Sequence, residues 1–233
     1  MRTRPLVIEN ARIIDPSRNL DEVGAIIVRD GAVAACGRDA LNAGHPDGAD
    51  VIDARGLLAI PGLVDARVFI GEPGFEHRET IHSVGEAAAA GGVTSILTMP
   101  DTNPVIDEPA IVDFVLRRAR ATASVQVLPA AAITKGLEGR EMTEFGLLQE
   151  AGAVAFTDGL KAVTNAQVMR RALTYARDFG ALLMQHVEEP DLVGEGVMNE
   201  GEMASRLGLP APACARGWHD NRRACDRAAE IGR

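Results

Sequence analysis

Aromatic side chains are scarce in this chain: one Trp, one Tyr and six Phe among 233 residues. A core with so few rings has to be packed from small aliphatic side chains. Hydrophobic residues at 46% and charged ones at 24% supply enough material for a sizeable one. Cysteine is rare as well. Cys36, Cys214 and Cys225 give neither a pairing framework nor a close C-x-x-C, so three unpaired thiols are expected. No apolar run approaches the roughly 20 residues of a bilayer span. Met1–Pro5 carries two arginines, but no apolar run follows that could serve as a secretory signal. Positive charge is also short, with 24 Lys and Arg against 33 Asp and Glu and a formal net charge of −9. That balance argues against a general binder of nucleic acid or anionic membrane. A reduced, cytoplasmic protein is expected.

Two kinds of pattern are present. In residues 1–60, short apolar or alternating runs (Leu6–Ile8, Arg12–Ile14, Ala25–Arg29, Ala32–Cys36, Asp50–Asp53) are separated by turn chemistry at Asn10, Asp15-Pro16-Ser17, Asp30-Gly31 and Asp47-Gly48. Asp30-Gly31 between two such runs is a two-residue hairpin signal. This predicts a small, β-sandwich-like module. In residues 61–212, strand-length apolar runs alternate with Ala-rich stretches of helical period. Strands are expected at Leu63–Ile70, Val93–Met99, Val125–Ile133, Val154–Phe156 and Ala181–Gln185. Helices are expected at Glu79–Ala90, Glu108–Arg120, Thr143–Ala151 and Gln167–Phe179. Nearly continuous apolar strands suit a parallel sheet covered by helices. About five βα units in a row, without a switch point, predict an α/β fold: an incomplete (β/α)₈, TIM-type barrel. In residues 213–233 the pattern dissolves into five arginines, two of the three cysteines and the only Trp. An irregular tail is expected there, either a genuine short C-terminus or, the reading preferred, a stretch translated out of frame after about Ala213.

Several segments carry a resemblance. They are Pro61-Gly62-Leu63-Val64-Asp65, Glu72-Pro73-Gly74 with Glu76-His77-Arg78-Glu79-Thr80, Gly91-Gly92-Val93-Thr94-Ser95, Met99 through Asp107, Glu150 through Phe156, Gln185-His186-Val187-Glu188-Glu189, and Gly196 through Gly201. Together they resemble dihydroorotase, of the amidohydrolase superfamily, over roughly residues 6–210. The resemblance implies a zinc-dependent cyclic amidase of pyrimidine synthesis, interconverting carbamoyl-aspartate and dihydroorotate. In such an enzyme zinc lowers the pKa of a bound water toward ~7 and polarises the scissile carbonyl. Two histidines at i, i+2 on the first barrel strand point to one side and chelate the metal.

At the positions of that His-X-His pair this chain has Arg67 and Phe69. Arg67 has no lone pair to donate and Phe69 no ligand atom. The arginine that would hold the substrate carboxylate is Gly71, and the substrate-binding asparagine is Asp101, whose charge would repel an anion. Asp158 and His186 stand at the family's strand-four carboxylate and strand-five histidine, as residual ligand positions. Two protein ligands fall short of the three that catalytic zinc sites keep, so no zinc or only weakly held zinc is expected. Arg67 is expected to fill the vacated space and pair with Asp65 or Asp158, and His77 and His82 to be surface or packing residues on or near the first helix. The resemblance further points to dihydroorotase-like proteins that lack the histidine pair and serve as scaffolding partners of aspartate transcarbamoylase. An active cyclic amidase, dihydroorotase or hydantoinase-like, and a non-functional gene fragment are the alternatives. An unclosed barrel also predicts self-association or aggregation of the isolated chain, through strand faces that include Leu63, Val93, Ile96, Val127, Val154 and Leu183.

Overall fold

The computed structural model describes residues 4–42, 44–186, 188, 193–198 and 201–210. The expected irregular tail, with Cys214, Trp218 and Cys225, lies outside the described residues. The chain divides into two compact units, one running to Gly62 and the other starting at Leu63.

The first unit is built on β1 (Leu6–Asp15). This strand pairs antiparallel with β2 (Leu20–Arg29) and parallel with β4 (Asp50–Asp53) and β5 (Leu58–Ala59), while β3 (Ala32–Gly37) pairs antiparallel with β2. Asn10 does not divide two strands, as its turn chemistry suggested. It lies at a register shift inside one continuous strand, at φ 62°, and its amide donates to Asp53 Oδ1 at 2.9 Å. Asparagine tolerates the left-handed region, so the extra residue is absorbed as a bulge and the strand continues. Asp30 and Gly31, at φ 52° and 77°, make the hairpin turn between β2 and β3. A short helix, α1 (Arg38–Asn42), follows β3, and Cys36 is a free, half-buried thiol.

In the second unit strands and helices alternate: β6 (Leu63–Val68), α2 (Ile81–Ala90), β7 (Val93–Thr98), α3 (Pro109–Thr122), β8 (Gln126–Ala131), α4 (Phe145–Ala151), β9 (Ala155–Phe156) and α5 (Ala166–Phe179). The sheet order is β6-β7-β8-β9 with every pair parallel. The fifth strand expected at Ala181–Gln185 is reduced to one parallel bridge. Phe156 N–H donates to Leu182 O and Met184 N–H to Phe156 O, both at 2.8 Å. With β9 itself only two residues long, it offers no longer ladder.

The apolar strands serve both faces of this sheet. Ile96, Val127 and Phe156 enter a core shared with Ile81, Val112, Val115, Phe145, Leu148 and Ala172 of the helices. Leu97, Met99, Ala130 and Ala155 cluster separately, as strand alternation requires for the opposite face. The rings of Phe145 and Phe156 lie 4.4 Å apart and anchor α4 on β9. Ile96 and Val127, expected on an open face, are therefore covered by helices and only 1% and 6% exposed. Leu63 and Val154 remain 48% and 46% exposed. No helix among the described residues is long and apolar enough to cross a membrane. Because the strands are parallel, the loops after all of them emerge at one end of the sheet, where such folds carry their chemistry.

Candidate functional site

The loop after β6 holds the first two candidate residues. Val68 and Ile70 pack into the sheet–helix core, so alternation sends Arg67 and Phe69 to the other face. Phe69 is half-buried and lies under a guanidinium, with Arg78 Cζ 4.7 Å from its ring centroid and the Phe75 ring at 6.2 Å. Arg67 is exposed and makes no ion pair among the described residues, contrary to the pairing expected with Asp65 or Asp158. Both carboxylates are otherwise engaged. Asp65 Oδ1 accepts the Arg67 backbone N–H at 3.0 Å, and Asp158 is held by Thr134.

Residues 71–79 form a tight turn. Gly71 is buried at φ +62°, and a Cβ there would stand 2.3 Å from Glu79 O and 2.9 Å from Phe75 O. Next to it Glu72 is buried at 4% exposure. Its Oε2 accepts the Ile81 N–H at the start of α2 at 3.0 Å, and its Oε1 accepts from Arg118 Nε at 2.5 Å. Thr80 and Ser83 close a reciprocal cap on α2. His77 lies in this turn against Phe75, and His82 is on α2 with Nδ1 3.0 Å from Thr122 O; both are exposed.

After β7, Asp101 is half-buried and its Oδ1 is enclosed without a hydrogen-bond partner among the described residues. It stands beside Gly159, where an added Cβ would be 4.0 Å from the Asp101 Cβ. After β9, Asp158 is 2% exposed. Its Oδ1 accepts the Thr134 N–H at 2.9 Å and its Oδ2 accepts the Thr134 hydroxyl, which in turn takes the Gly139 N–H. Burial pushes the Asp158 carboxyl above its ordinary pKa, against the opposing pull of the Thr134 bonds. His186 lines an open cleft of about 320 Å³ with Glu138, Leu160, Lys161, Thr164 and Glu188, and its Nε2 is 2.9 Å from Glu188 Oε2. Asp158 is not among the residues lining that cleft.

A family profile described as Dihydro-orotase-like matches residues 56–225. The chain belongs to the dihydroorotase-like family. Over 204 residues it is 45% identical to the dihydroorotase of Geobacter metallireducens and 47% identical to that of Geotalea daltonii, covering 88% of this chain and 47% of each relative. It thus spans about half the length of the curated relatives it matches. Among solved structures, the L-hydantoinase (dihydropyrimidinase) of Arthrobacter aurescens superposes with a TM-score of 0.79 at 22% identity, over all of this chain and 51% of that one. The second unit is accordingly a half-barrel of the amidohydrolase type.

A dihydroorotase-like chain implies a metal, and the donors described here do not fit one. Arg67 and Phe69 offer no lone pair, both Asp158 oxygens already accept from Thr134, and His186 is turned to Glu188. No group of three or more His, Cys, Asp or Glu side chains among the described residues is placed to hold a metal ion. Three residues that organise the site escaped the sequence reading. Glu72 was visible only as part of a motif, and its partner Arg118 lies 46 residues away. Thr134 carried no signal. Arg78 was legible as a cation but not as the lid on Phe69.

Proposed function

We propose that this chain is a dihydroorotase-like protein of pyrimidine synthesis that has lost the metal-dependent hydrolytic step and acts in the cytoplasm as a structural partner of aspartate transcarbamoylase. The observation that carries the reading is the end of β6, where Phe69 lies under Arg78 and Arg67 adds a second cation. A zinc-bound water is the family's nucleophile. Two positive side chains at the strand end oppose the approach of a divalent cation, and the residues there supply no donor to offset that repulsion. Gly71 leaves no cation for a substrate carboxylate, and Asp101 adds a negative charge where an anion would bind. A partner role is compatible with all four substitutions because none lies on α2, α3, α4 or α5, the helices that cover the outside of the sheet.

The test has two arms. Purified protein is expected to carry far less than one zinc per chain by elemental analysis, with no cyclisation of carbamoyl-aspartate above background. It is also expected to co-purify with aspartate transcarbamoylase when the two are expressed together. A metal ratio near one with chelator-sensitive turnover overturns the loss of chemistry, and independent migration of the two proteins overturns the partnership.

A further inference from the structure

The end of β6 carries a local reversal of charge in a chain whose formal net charge is −9. Arg67 and Phe69 share the face turned away from the helices, about 6–7 Å apart along the strand direction. Arg78 Cζ lies 4.7 Å from the centroid of the Phe69 ring, which holds the guanidinium in place. Both arginines are exposed, and neither side chain makes an ion pair or meets a hydrogen-bond acceptor among the described residues. The carboxylates of the adjoining turn are engaged elsewhere. Glu72 holds Arg118 and the Ile81 N–H, Glu76 accepts the Gly74 N–H at 2.9 Å, and Glu79 accepts the Ser83 hydroxyl. Asp101 differs. Met99 N–H donates to Val68 O at 2.9 Å and Asn103 N–H to Pro73 O at 3.0 Å, so the stretch 99–103 runs beside 68–73 with Asp101 between the two ties. Its Oδ1 is enclosed and has no hydrogen-bond partner among the described residues. An enclosed acceptor of this kind calls for a donor.

We propose that the mouth of the half-barrel beside Phe69 binds inorganic phosphate, with Arg67 and Arg78 clamping its oxygens and Asp101 accepting the proton that hydrogenphosphate still carries. Two arginine forks match an oxyanion that offers several oxygens, and a guanidinium already held against a ring loses less freedom on binding than a loose one. The charges fit as well, since two cations against one carboxylate leave a net attraction for an anion. Asp101 decides which anion. It repels one that is fully deprotonated and accepts a hydrogen bond from one that keeps a proton. At neutral pH inorganic phosphate keeps one, sulfate keeps none, and phosphate monoesters, with a second pKa of about 6, have largely lost theirs. The charge at 101 that opposes a carboxylate substrate is therefore compatible with this ligand. The inference rests on the missing metal donors at 67 and 69 and not on the proposed partnership, and phosphate binding is read separately from zinc content and turnover.

Isothermal titration calorimetry of the 233-residue chain with phosphate, sulfate and methyl phosphate, at neutral pH and matched ionic strength, tests it. Phosphate is expected to bind saturably at one site per chain, with sulfate and methyl phosphate at least about tenfold weaker. Arg67→Met and Arg78→Met should each weaken phosphate binding at least about tenfold, whereas Arg170→Met, at an exposed position on α5, should leave it unchanged. Asp101→Asn, whose amide can donate where the carboxylate cannot, should bring sulfate to within a few-fold of phosphate. Unchanged far-UV circular dichroism separates these effects from misfolding. Absence of saturable phosphate binding at millimolar concentration overturns the proposal. So does sulfate or methyl phosphate binding as tightly as phosphate, or phosphate binding indifferent to Arg67→Met and Arg78→Met.

Discussion

Replacing Gly71 by alanine separates two costs that are usually confounded. Gly71 sits at φ +62°, where a residue with a Cβ loses ~1–2 kcal/mol from the left-handed backbone alone. It is also enclosed. The new Cβ would fall 2.3 Å from Glu79 O and 3.0 Å from Glu79 C, atoms of a turn already fixed by the 2.6 Å bond from Phe75 N–H to Gly71 O. Forcing extra volume into a packed site costs a further ~1–3 kcal/mol. Gly92 is the control: at φ +78° it pays the backbone cost, but nothing lies within 4 Å of its Cβ. Gly71→Ala should therefore lower stability by about 2–5 kcal/mol and Gly92→Ala by about 1–2. At roughly 2–4 °C per kcal/mol for a chain of this size, the Gly71 variant should melt several degrees below the Gly92 variant. Urea unfolding followed by circular dichroism at one fixed protein concentration measures both. Equal losses within about half a kcal/mol would refute the argument. The result also governs any attempt to restore the arginine that the family resemblance places at 71. It cannot be inserted without moving residues 71–79, so Gly71→Arg should cost at least as much as Gly71→Ala.

Arg67→His with Phe69→His should leave carbamoyl-aspartate turnover at background and raise zinc content only slightly; activity from that pair alone would show that the remaining donors suffice. Asp158 has a native pKa above the ordinary carboxylate value near 3.8, so the folded state binds its proton more tightly than the unfolded one does. Its contribution therefore grows as pH falls through the native pKa and levels off below the unfolded one. Asp158→Asn keeps an acceptor for Thr134 N–H and should flatten that part of the urea-midpoint profile between pH 7 and 4, whereas an unchanged profile would count against the buried carboxyl. Glu72→Ala should cost ~1–3 kcal/mol, less than the 3–5 of a fully buried pair because Arg118 is 47% exposed. Arg118→Ala added to it should cost little more, and full additivity in the double-mutant cycle would deny the coupling.

The alternation of strands and helices from Leu63 to Phe179 was legible because short, largely apolar runs of strand length alternate with Ala-rich stretches of helical period. The hairpin at Asp30-Gly31 was legible because two positive φ values call for that dipeptide. What failed has physical causes too. Asn10 carries turn chemistry, but a bulge uses the same chemistry without ending the strand. The fifth strand has the right composition, yet β9 offers only two residues to pair with. At the site, the absence of metal donors at 67 and 69 can be read from the letters alone. The fate of the space cannot, because Arg78 reaches Phe69 only through the turn at 71–79. Asp158 looks like a ligand from its place in a motif, and only the fold reveals Thr134 beneath it.

Glu72 gives that observation a wider bearing. One carboxylate joins the loop after β6, the first turn of α2 and the C-terminal half of α3, so its role here is in holding the fold. None of positions 67, 69, 71 and 101 takes part in this tie. A Glu-Pro-Gly triplet in a barrel of this kind is therefore a record of how the chain is assembled. Its presence is no measure of whether the chain carries out chemistry.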